Sequence, residues 1–130
     1  MTTEPAERLR PISALAQIRG LLDDAPNVLK QDISRIKKLL ADPNATLPVP
    51  VVAYTLEEAR SALDLLAVHA RQLRRWQASD LTDAERAEVT RLQAIVPEIR
   101  PLIQRLIALA TELDKRARTG EATPRKRWRH

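Results

Sequence analysis

The chain has 130 residues and a mass of 14.7 kDa, enough for one domain burying about two thirds of its unfolded surface. Its 44% hydrophobic and 30% charged residues are a globular mix, and its longest uncharged apolar stretch, Leu47 to Tyr54, is too short to cross a bilayer. Cysteine is absent, which excludes disulfides and thiolate metal sites, and with two glycines, no phenylalanine and 2% aromatics a sheet fold or a Gly-rich phosphate loop is not expected. The opening Met1-Thr2-Thr3-Glu4-Pro5 reads as neither the basic start nor the apolar core of a secretory signal, so a cytoplasmic location is expected.

An all-α fold follows, an antiparallel bundle of about four helices. The first helix is expected from Pro11 to Leu22 on the spacing of Ile12, Leu15, Ile18 and Leu22. Asp23-Asp24-Ala25-Pro26 then reads as a fresh helix start, and Leu29, Ile33, Ile36 and Leu40 carry a second helix to about Ala41. Three prolines between Asp42 and Pro50 mark a loop. Thr55 and Glu58 have capping-box spacing, which starts a third helix there, its stripe of Leu56, Ala59, Leu63, Leu66, Ala70 and Leu73 running to about Gln77.

Thr82 and Glu85 repeat the capping-box spacing and open the longest segment, expected to reach about Arg118. Its stripe is Leu92, Val96, Ile99, Ile103, Leu106, Ala110, Leu113 and Ala117, widened by Ile95, Leu102 and Leu109. Pro97 and Pro101 fall inside it on the outward side, so a kinked long C-terminal helix is expected rather than two helices. Gly120 and Pro124 are read as its end, giving a domain over 1–118 and a flexible basic tail over 119–130.

The formal net charge is +5, and residues 114–130 carry all of it; the rest of the chain is balanced. A neutral body with a basic end points to phosphate polymers or acidic surfaces as partners. Two constellations could make that contact. Arg71, Arg74 and Arg75 share a helical face beside Trp76, whose indole offers a stacking plane; their ordinary role is to complement a helix C-terminus, with Trp76 packed near Leu73. Arg125, Lys126, Arg127, Trp128 and Arg129 place four cations around a second indole, a pattern that binds phosphates without reading sequence and that also suits a solubilising tail or an anionic surface. Arg35, Lys37 and Lys38 form a weaker cluster with the character of a solvated face.

Enzymatic chemistry has no support in the pattern. His69 and His130 are isolated, no Glu-x-x-His pair occurs, and the paired carboxylates Asp23-Asp24, Glu57-Glu58 and Glu85 with Glu88 sit at expected helix starts, where anions suit the macrodipole. No nucleophile motif surrounds the serines, so no catalytic residue, metal or cofactor is expected. The Asn44-Ala45-Thr46 sequon has no meaning in a cytoplasmic setting. A helix-turn-helix reader is disfavoured because Asp83, Glu85 and Glu88 would lead its second helix into the phosphates.

The expectation is therefore a non-enzymatic subunit that binds the backbone of RNA or single-stranded DNA within a larger nucleoprotein assembly, beside other protein subunits or copies of itself. In size, helical pattern and basic surface the chain is similar to the small helical subunits of CRISPR effector complexes, a likeness of architecture. The alternative is an assembly or scaffolding protein, viral among the options, that homo-oligomerises and contacts a protein partner through its basic tail. An adaptor or inhibitor for one acidic protein is a third class.

Overall fold

A computed structural model describes residues 10–122, with side chains to residue 120. It is all-helical: a short 3-10 turn, Ile12–Ala14, leads into α1 (Leu15–Ala41), α2 (Val49–Gln77) and α3 (Asp83–Ala122), and the described residues contain no strand. α1 and α2 both pack along α3 and touch each other little.

Among the described residues there are three α-helices where four are expected, because the break at Asp23 to Pro26 does not occur. Pro26 lies inside α1 and the helix continues through it. An interior proline removes one hydrogen bond and costs about 3 kcal/mol. Against that, Ile18, Leu22, Leu29, Ile33 and Ile36 are buried on both sides of the proline at spacings that keep one phase. Each such side chain contributes about 1.5–3 kcal/mol on burial, so an uninterrupted apolar face outweighs one missing bond. Asp23 and Asp24 are consequently mid-helix residues and not caps.

The expected start of the next helix is also displaced. α2 begins at Val49 behind Pro48, with a proline in its first turn, where the missing N–H would have been unpaired in any case. The amides of Val51 and Val52 both donate to the Pro48 carbonyl at 3.1 Å. Thr55 and Glu58 therefore form no capping box: Thr55 is inside the helix and its hydroxyl donates to the Val51 carbonyl at 3.1 Å. The second expected box does form. The Thr82 amide donates to Glu85 Oε1 at 2.9 Å and the Glu85 amide to Thr82 Oγ1 at 3.1 Å, opening α3.

α3 is the helix around which the core is built. All eight residues of its expected stripe are buried, together with Val89. Pro97 and Pro101 lie within the helix and are exposed, as their position opposite Ile99 requires. Gly120 does not end the helix, which runs to Ala122, four residues past the expected boundary. At the far end Arg116 ties α3 to the end of α1, donating to the carbonyls of Leu40 at 2.6 Å and Asp42 at 2.8 Å.

Candidate nucleic-acid interface

The last two turns of α2 carry the first cationic constellation. Leu73 and Trp76 face the core, so the residues between and beside them, Arg71, Arg74 and Arg75, are turned outward and are exposed. The helix ends at Gln77 and is capped by Ala78, whose amide donates to the Arg74 carbonyl at 3.2 Å, and the Ser79 hydroxyl donates to the Arg75 carbonyl at 2.8 Å. The expected role of Trp76 as a stacking plane needs correction. The ring is only 4% exposed, and its Nε1 donates to the Arg10 carbonyl at 2.9 Å. Its spacing from Leu73 puts it on the buried stripe, leaving no open face for a base.

That hydrogen bond brings in a residue that sequence reasoning missed. Gln72, the one buried polar side chain among the described residues, accepts the Arg10 amide on Oε1 at 2.7 Å and donates Nε2 to the Arg10 carbonyl at 3.4 Å. The peptide groups of Arg10 are thus held by Gln72 and Trp76, and Arg10 and Arg75 border the same hollow, with Asp80 on its rim. The Arg10 guanidinium reaches Gln17 Oε1 at 3.0 Å. No local pattern signals this pairing across 62 residues: Gln72 lies beside the apolar stripe that ends at Leu73, not on it.

Arg86, also unmarked in the sequence, serves the fold. It donates to the carbonyls of Gln77 at 2.7 Å and Ser79 at 2.9 Å, satisfying the last acceptor of α2 and one in the connection that follows. On α1, Arg35 is paired with Asp32 at 2.8 Å, and Lys37 and Lys38 border a shallow hollow with Lys30 and Ser34. Arg125, Lys126, Arg127, Trp128 and Arg129 lie outside the described residues.

A second surface was not anticipated. Between α1 and α2 runs an open trough of about 330 Å³, floored by Ile99, Ile103 and Leu106 of α3. Leu21, Val28 and Leu65 on its walls are about half exposed. His69 sits at one end of it; burial, and secondly the charge of Arg10, hold its imidazole pKa below the ordinary value. Among the described residues no three His, Cys, Asp or Glu side chains cluster to hold a metal, and no helix is long and apolar enough to cross a membrane.

The chain matches no family model, no curated protein sequence and no solved structure. What the fold and surface define is an all-helical protein with an arginine-rich end and an apolar trough.

Proposed function

We propose that this chain is a non-enzymatic, cytoplasmic subunit of a larger nucleoprotein assembly, holding RNA or single-stranded DNA by its phosphates. The observation that carries the reading is the end of α2, where Arg71, Arg74 and Arg75 are exposed and Arg75 shares a hollow with the tethered Arg10. Guanidinium groups recognise phosphate geometry and displace condensed counterions, which gives affinity without sequence information. With Trp76 buried, contact at this end rests on charge alone. Base stacking then falls to Trp128, and Arg125, Lys126, Arg127 and Arg129 supply a second group of phosphate contacts.

The test is a fluorescence anisotropy titration of a labelled single-stranded 20-mer, as RNA and as DNA, across a salt series. Replacing Arg71, Arg74 and Arg75 by Gln should weaken binding and flatten the slope of log affinity against log salt by about 2, the value for three single-strand phosphates. Binding that is absent at low salt, or whose slope is indifferent both to these substitutions and to Gln at the four cations of 125–129, overturns the proposal. The alternative of a homo-oligomerising scaffold is favoured by the half-exposed Leu21, Val28 and Leu65. It calls instead for a salt-insensitive oligomer that ignores both oligonucleotides.

A further inference from the structure

The trough has a regular construction that follows from its antiparallel walls. α1 ends and α2 begins at the same loop, so residues equally far from it stand at the same height. Asp32 and Glu58 are each nine residues in, about 13.5 Å at 1.5 Å per residue. Val28 and Ala62 follow at thirteen residues, Ala25 and Leu65 at sixteen, Leu21 and His69 at twenty. The result is three turns of nearly apolar wall with two carboxylates near the loop end, where Thr55 also lines the trough.

We propose that this trough docks one amphipathic helix of a partner protein, bearing three apolar residues at i, i+4 and i+7 and a Lys or Arg at i+11. The spacing is that of the rungs, and the charge complements the carboxylate pair. Asp32 is already paired with Arg35, but Glu58 is exposed and has no cation beside it among the described residues. An apolar helix ending in a carboxylate would meet repulsion there, and one ending in a cation completes the pair. A volume of about 330 Å³ is at the bottom of the range for small-molecule sites, and here it is drawn out along an open channel. A helix laid between α1 and α2 would also cover the half-exposed Leu21, Val28 and Leu65, giving a fourth helix packed on the third. None of Arg71, Arg74 and Arg75 lines the channel, so this surface is independent of the phosphate-binding reading.

The probe is a fluorescein-labelled 15-residue peptide with Leu at positions 3, 7 and 10, Arg at 14, and Ala and Gln elsewhere, compared with a twin carrying Glu at 14. The full chain should bind the Arg peptide at least about tenfold more tightly than the Glu twin at low salt. Glu58→Lys should reverse that order, and Val28→Glu or Leu65→Glu should remove binding of both peptides while circular dichroism stays helical. The proposal is overturned if neither peptide binds, or if binding ignores the Arg-to-Glu swap. It is overturned as well if the chain sediments as a dimer that Val28→Glu splits, which makes a second copy the occupant. Peptide binding that appears only once Arg125, Lys126, Arg127 and Arg129 are replaced by Gln assigns the channel to the chain's own basic segment and likewise overturns it.

Discussion

Arg91 of α3 forks onto Asp23 of α1, its two terminal nitrogens lying 3.0 Å from the two carboxylate oxygens. The same guanidinium reaches Glu88 one turn earlier at 2.7 Å, and Arg19 stands 3.9 Å from that carboxylate. The hydrogen bond from Arg91 is the chief reason that both carboxyls titrate below their ordinary range. A depressed carboxyl pKa stabilises the fold at pH values above the unfolded value of about 4, and this contribution is lost as pH falls through the folded value. Thermal melts between pH 7 and 2 should therefore show Arg91→Gln less stable than the wild type at neutral pH, the two converging in acid. The difference should shrink in 0.5 M salt, because these groups are partly exposed.

Leu92 and Leu106 share one stripe of α3 but not one environment. Leu92 is fully enclosed, whereas Leu106 also floors the trough. Leu92→Ala leaves a sealed cavity and should cost about 3–5 kcal/mol; Leu106→Ala opens toward water and should cost about 2–3 kcal/mol. Urea unfolding of the two variants, compared at equal m-value, checks the order.

Pro26→Ala should stabilise the protein. It restores a backbone bond inside α1 and removes a ring clash worth about 3 kcal/mol, less about 0.4–1 kcal/mol for the greater freedom of the unfolded chain. A rise in the urea midpoint corresponding to about 2 kcal/mol is expected. An unchanged or lower midpoint would mean that the proline is accommodated without loss.

His69 gives the stability curve a second acid limb. Its folded pKa is depressed, first by burial and then by Arg10, so below about pH 6.5 the unfolded chain takes up a proton that the folded chain resists. Stability from this residue is complete above that pH and declines below it. His69→Gln should flatten the melting temperature between pH 7 and 5 and leave the limb below pH 4 in place.

The α3 stripe is legible because eight apolar residues keep one phase through two outward prolines, and the Thr82 and Glu85 box is legible because nothing competes with it. At Asp23 to Pro26 the local signals of a cap and a proline point to a break, and only the unbroken phase from Leu22 to Leu29 reveals the continuous helix. Thr55 and Glu58 have the right spacing in the wrong place, since Pro48 and Pro50 start the helix first. At the arginine-rich end the outward turn of Arg71, Arg74 and Arg75 follows from the stripe that buries Leu73. The tether on Arg10 depends on a contact across 62 residues and has no local trace. The trough eluded the sequence for a related reason. Leu21, Val28 and Leu65 each stand one position before a stripe residue, Leu22, Leu29 and Leu66, and only the separation of α1 from α2 shows that together they line an open channel.

Because α1 and α2 are each fastened to α3 and scarcely to each other, the molecule is a spine with two limbs. Either limb can lift without stripping the other. The α2–α3 pair is joined by the short 78–82 connection, while α1 must close a loop spanning all of α2 to reach the spine, so local closure favours the hairpin forming first. Amide exchange in the native state should then resolve at least two opening units. Protection should be greatest in the middle of α3 and high in α2, and α1 should exchange through a smaller opening that leaves the hairpin closed.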